Sequence, residues 1–221
     1  MNNGTDKWDW DAVADFMPHF WDGLLTTLQI LALGSLISFS VGLVWALAFR
    51  APSRFVRWPV GIITEFIRNT PLLVQLFFLF FVLPEWDIQF SAMTTGIIAI
   101  GLHYSTYTAQ VYRAGIEAVP AGQWEAATAL SLPYRHTWTA VILPQAIRRV
   151  VPALGNYVIA MLKDTPLIAS IGVLELLQQA RLQAAETFQY TEPLTVIGIA
   201  FILIAYPASL LIRALERRLV V

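Results

Sequence analysis

Three long stretches of the chain, residues 23–49, 88–112 and 193–212, contain no Asp, Glu, Lys or Arg. Each reaches the roughly 20 residues with which a helix rising about 1.5 Å per residue crosses a hydrocarbon core of about 30 Å. The expected fold is therefore an all-α, polytopic membrane protein. The remaining composition fits, since 57% of the 221 residues are apolar and 13% charged, against about a quarter charged in a soluble domain. A soluble globule is excluded. No repeat or low-complexity linker divides the sequence, so residues 1–221 read as a single transmembrane domain.

Several function classes drop out on residue chemistry. A net charge of -1 with no basic tract lacks the field on which nucleic-acid binding depends. The absence of Cys removes disulfides, thiolate nucleophiles, iron-sulfur clusters and Cys-ligated zinc. His19, His103 and His136 lie too far apart for a His-Glu-x-x-His pair, and no metal site is expected. A P-loop needs Lys followed by Ser or Thr, whereas Lys7 precedes Trp8 and Lys163 precedes Asp164. The chain is expected to be no enzyme and to hold no cofactor of its own.

Charge placement then orients the spans. Asp6, Asp9, Asp11, Asp15 and Asp22 against Lys7 give the N-terminus the wrong sign for a signal peptide. The first span is expected to remain as an anchor. Arg50, Arg54 and Arg57 follow it, Arg113, Arg135, Arg148 and Arg149 flank the third span, and Arg213, Arg217 and Arg218 follow the last. With a second span at 58–84, bounded by Trp58 and Trp86, and a fourth at 150–174, the positive-inside rule predicts five transmembrane helices. The N-terminus lies outside and the C-terminus in the cytoplasm.

The loop of about 114–149 is then cytoplasmic. Gly122 to Pro133, followed by Val141, Ile142, Leu143 and Pro144, predicts a short helix, a break at 131–133, and a second short helix stopped before Pro144. Alanines at 126, 127 and 129 leave a thin rod, with Glu125 as a charge for a partner. Such a protrusion enters a partner's groove, or lies as an amphipathic helix on the membrane surface.

Glu125-Ala126-Ala127, with its small residue at 131 and the later Val141-Ile142-Leu143-Pro144 run, resembles the EAA loop of ABC importer permeases. Glu65-Phe66-Ile67-Arg68-Asn69-Thr70-Pro71-Leu72-Leu73-Val74-Gln75, Tyr112-Arg113-Ala114-Gly115-Ile116, Leu143-Pro144-Gln145-Ala146 and Lys163-Asp164-Thr165 resemble the polar amino-acid uptake branch (histidine, glutamine or arginine type). The resemblance covers about residues 23–176. It implies a type I importer of the cell inner membrane: two identical or homologous permease subunits, ABC ATPase subunits that carry ATP and Mg, and an extracytoplasmic solute-binding protein. Residues 122–132 would be the coupling helix, with Gly122, Glu125, Ala126, Ala127 and Ser131 at the ATPase. The implied cargo is a polar amino acid or similar small zwitterion such as ectoine. The alternative is a structural membrane subunit of a larger complex without solute flux. Two positions depart from the family pattern. Ser131 stands where Gly is usual, costing about 1 kcal/mol or more if a left-handed turn is kept there, unless Leu132 and Pro133 rebuild it. Pro166 stands where Ser usually follows Lys-Asp-Thr.

Polar residues within the spans are candidates for a translocation pathway. Glu65 and Arg68 share a helix face beside Asn69, Thr70 and Pro71, as a gate at a broken helix or as an ion pair fastening two helices. Lys163 and Asp164, with Thr165 and Pro166 behind them, suggest either a discontinuous helix or a structural pair at the mouth of a shorter span. His103, Tyr107 and Gln110 recur along one side of the third span, as solute contacts or interhelical hydrogen-bonders.

Overall fold

The computed structural model describes residues 8–219, and every regular element among them is helical. Asp6 and Lys7, part of the acidic leader expected outside, lie beyond the described residues. The elements are α1 (Trp10–Phe49), α2 (Arg54–Asn69), α3 (Leu72–Phe77), α4 (Ala92–Glu117), α5 (Ala121–Ala129), α6 (Tyr134–His136), α7 (Leu143–Asp164), α8 (Leu176–Thr187) and α9 (Thr191–Leu219).

The bundle is organised around α1 and α4. Between apolar helices in lipid there is little hydrophobic drive to associate, so close packing of small residues and interhelical hydrogen bonds must supply it. Gly34, Ser35, Ser38 and Gly42 are buried along one side of α1, against buried Gly101, Ser105, Thr108 and Ala109 of α4. A Cβ on Gly42 would lie 2.9 Å from the Ser105 carbonyl oxygen, so only glycine lets the backbones meet here. The approach brings Thr108 Oγ1 to donate to the Ser38 carbonyl at 2.8 Å, and Trp45 Nε1 to Ser105 Oγ at 3.1 Å.

At its start α1 is capped by Asp9, whose carboxylate accepts from the Asp11 and Ala12 amides. Those amides, with Gln189 Nε2 donating at 3.1 Å, hold the Asp9 carboxyl below the usual carboxylate range. The Asp9 amide donates to Glu192 Oε1 at 3.1 Å, tying α1 to the first turn of α9.

Two helices, α1 and α9, are long and apolar enough to cross a membrane alone, and the count reaches four if each of two bent pairs is one span. The helix α4 has 26 residues, about 39 Å at the standard rise, but its inner side carries Thr95, His103, Ser105, Thr106 and Thr108, all buried. Those groups lower its apolarity while facing protein.

The expected second span is not straight. Its limbs, Arg54–Asn69 and Leu72–Trp86, meet at 103°, with Thr70 extended at ψ 133° ahead of Pro71. Proline disfavours the helical conformation in the residue before it, and at Thr70 the extended form is taken.

Two expected interruptions are absent. The helix does not stop before Pro144: Tyr134–Ile171 runs on as one helical rod. The reason is a π turn at Thr137–Ile142, in which the Leu143 amide reaches back to the Trp138 carbonyl, and Pro144 falls where the ladder changes register and tolerates a missing amide. The chain is also continuous through Lys163–Pro166, passing from α7 into a 3-10 segment, Thr165–Ile171. Pro166 cannot bond the Leu162 carbonyl four residues back, and Thr165 Oγ1 does so instead at 2.8 Å. The actual break follows at Gly172, whose φ of 83° suits only glycine, and α8 leaves at 48°.

Candidate functional site

The protrusion between α4 and α7 is fastened on one face and bare on the other. Ala127 is 3% exposed, and Trp124 packs edge-to-face on Trp138 at 5.3 Å between centroids. Val119, Ile142 and Ala146 complete the apolar seat, while Arg149 donates to the Ala118 carbonyl and Gln145 to Gln123 at 3.2 Å. On the outer face Gly122, Glu125, Ala126 and Ala129 are exposed. A Cβ on Gly122 would meet nothing within 4 Å, so nothing within the chain demands glycine there. Glu125 has no hydrogen bond or ion pair among the described residues. Of the motif residues, Ala127 thus serves as the fastening and the others face outward.

Ser131 keeps the left-handed turn, at φ 51°. Its amide donates to the Thr128 carbonyl at 2.9 Å, and the Leu132 amide to the Ala127 carbonyl at 3.0 Å, which ends α5 in a Schellman-type cap. The turn is therefore not rebuilt around Leu132 and Pro133, and the chain bears a serine at a cost of about 1 kcal/mol.

The second polar cluster surrounds the bend after α2. A helix end leaves its last carbonyls without partners in the helix, and here side chains take them one by one. Asn69 Nδ2 donates to the Glu65 carbonyl at 2.8 Å, Thr70 Oγ1 to Phe66 at 2.7 Å, and Tyr107 Oη to Arg68 at 3.4 Å. Gln75 Nε2 donates across the bend to Ile67 at 2.6 Å and Thr70 at 2.9 Å. The bend is thus pinned from both limbs. Glu65 pairs with Arg68 and accepts from Asn69, yet the Glu65 side chain remains 56% exposed on the surface of the chain.

Beside the bend stands an aromatic group built from α4 and α7. Tyr107 lies 5.4 Å from His103, 5.9 Å from Tyr104 and 5.7 Å from Tyr157. Tyr104 Oη donates to Asp164 Oδ2 at 2.7 Å, and the buried His103 Nδ1 has no partner. The expected residues do not all meet here. Gln110 instead accepts from Arg113 at 3.3 Å, and Thr165 is wholly buried against its own helix. Lys163 forms no pair with Asp164: the neighbours point about 100° apart on a helix, and Lys163 lies beside Phe201, Ala205 and Tyr206 of α9. Both forms of the Lys163–Asp164 expectation are corrected by this continuous helix.

Gln75, Tyr104 and Tyr157 escaped the sequence reading as site residues. Only Gln75 left a trace, as an amide four residues beyond Pro71 in an apolar run.

Residues 38–221 match the family described as "Binding-protein-dependent transport system inner membrane component". The chain is 45% identical over 200 residues, 90% of this chain and 87% of the relative, to the "Probable amino-acid ABC transporter permease protein y4tG" of Sinorhizobium fredii. It is 31% identical over 212 residues, 96% of this chain and 97% of the relative, to the "Arginine transport system permease protein ArtQ" of Bacillus subtilis. A crystal structure of an amino acid ABC transporter with histidines superposes with a TM-score of 0.91 at 35% identity, covering 96% of this chain and all of that one.

Proposed function

The chain belongs to the binding-protein-dependent transport system inner membrane components and is an ABC transporter permease subunit, and from that premise we propose how it works. Its cargo is a polar amino acid or similar small zwitterion, moved inward by alternating access under the drive of separate ATPase subunits. This reading draws on relatives whose names specify amino-acid, and in one case arginine, transport.

The observation that carries the mechanism is the two-faced α5. A rigid helix held by Trp124 and Ala127, with Gly122, Glu125 and Ala126 turned outward, is suited to enter a groove of an ATPase. Displacement there moves the rod Tyr134–Ile171 to which α5 is fastened. Five crossings, with the bent α2–α3 limb and α4 both counted as spans, put the N-terminus outside and α5 and the arginines of the C-terminus in the cytoplasm.

The solute path runs beside the bend. Glu65 and Asn69 are exposed next to Phe66, at 71% exposure, and a carboxylate within a span requires protein or water around it. A second permease subunit, identical or homologous, supplies that cover. The rings of Tyr104, Tyr107 and Tyr157 and the Asp164 carboxylate offer an ammonium group both π faces and a charge. His103, Arg68, Asn69 and Thr70 complete the wall. An extracytoplasmic binding protein delivers the solute.

The test is reconstitution of this chain in liposomes with its ATPase and binding protein. Labelled amino acid accumulating above equilibrium only with ATP on the ATPase side supports the proposal. A stable assembly that hydrolyses ATP without solute flux would instead indicate a structural subunit.

A further inference from the structure

Arg50, the residue that caps the end of α1, makes its side-chain contact with an aromatic ring. Its guanidinium carbon lies 5.1 Å from the centroid of Trp138, and among the described residues it has no carboxylate partner. Trp138 sits in the π turn Thr137–Ile142, an irregularity found frequently at functional sites. On its other sides the indole meets Trp124 of α5 at 5.3 Å and Tyr134 at 6.1 Å, both edge-on. One ring thus joins the protruding helix to the end of the bundle's central helix. The end of α1 is held in turn from α4, where Arg113 lies 4.5 Å over the Phe49 ring.

The manner of holding matters. Among the described residues the buried Trp138 indole nitrogen has no acceptor, although a buried indole N–H usually finds one. Ring edges and a cation over a π face are attracted without the strict alignment of a hydrogen bond, so the stack can slide without coming apart. A joint that transmits displacement needs that property, and a purely structural anchor would be better served by an acceptor for the N–H.

Resting on the reading of α5 as the coupling helix, we infer that Arg50 and Trp138 are positioning residues that pass the displacement of α5 to α1. The Arg50 charge keeps the Trp138 ring engaged while α5 moves. Neither residue touches solute or nucleotide.

The test uses the full transporter in proteoliposomes, reading solute accumulated per ATP hydrolysed at matched membrane abundance. Arg50→Gln is expected to keep the ATPase bound and its basal hydrolysis unchanged, and to lower solute moved per ATP about three- to tenfold, within the range a lost cation-π contact spans. Trp138→Leu, which also removes the ring that Trp124 of α5 rests on, is expected to lower that ratio at least as far. Arg50→Lys, which keeps the cation, and Trp138→Phe, which keeps the ring, should stay within about twofold of wild type. Glu125→Lys, run in parallel, tests the underlying reading: full stimulation of hydrolysis by loaded binding protein in that variant removes the coupling helix itself. With that control behaving as expected, wild-type solute per ATP in Arg50→Gln and Trp138→Leu overturns the inference. So does loss of the ATPase from Arg50→Gln, or an Arg50→Lys transporter as poor as Arg50→Gln.

Discussion

Gly42→Val is expected to lower the thermal stability of the protein and to cut its abundance in the membrane several-fold. A side chain at this position would strike the Ser105 carbonyl at 2.9 Å, a backbone atom that a rotamer change cannot move. The two helices must separate, and with them go the Thr108-to-Ser38 and Trp45-to-Ser105 hydrogen bonds. Overpacking costs about 1–3 kcal/mol and each interhelical bond about 0.6 kcal/mol or more. The sum is about 3 kcal/mol, a large part of the stability of a domain. The matched control is Gly198→Val in α9, where a Cβ would meet nothing within 4 Å. Thermal unfolding in detergent and membrane abundance should separate the two variants. Equal stability would mean that α1 and α4 are not held by close backbone approach.

Glu125→Lys is expected to abolish ATP hydrolysis stimulated by the binding protein, by more than about tenfold, while insertion and folding are unchanged. Folding is spared because Glu125 is exposed and has no partner among the described residues. Coupling is lost because reversing a charge at a docking surface places like charges together, which costs several kcal/mol. Glu125→Gln, which removes one charge without reversing it, should lose less. Stimulated hydrolysis at the wild-type level in Glu125→Lys would remove Glu125 from the contact.

What the sequence disclosed, and what it hid, follows from the range of the forces involved. The charge-free runs exposed α1, α4 and α9 because the cost of charge in lipid acts residue by residue. Pro71 was legible as a break, since proline acts on the residue beside it, but the 103° angle was not, because Gln75 fixes it by reaching back across the bend and Tyr107 from a distant helix. Pro144 and Pro166 misled for the complementary reason. A π turn and the Thr165 hydroxyl compensate each missing amide, and neither compensation has a local pattern. Lys163 and Asp164, adjacent in sequence, resemble a pair only until the helix turns them to different neighbours. The exposed motif face of α5 was legible through its resemblance to the EAA loop. The Trp124–Trp138–Arg50 stack was hidden, as contacts between distant residues leave no periodicity.

In this mechanism α5 stands off the membrane and is gripped by a separate motor. Because the chain has no Cys, Ala126→Cys gives a unique attachment point on the outer face of α5 for a spin label. Its accessibility to a water-soluble and to a lipid-soluble relaxation agent, measured with and without the ATPase subunits, is the most direct test. Strong response to the water-soluble agent is expected in the isolated permease, with protection once the ATPase binds. A label that responds to the lipid-soluble agent throughout, indifferent to the ATPase, would contradict this mechanism.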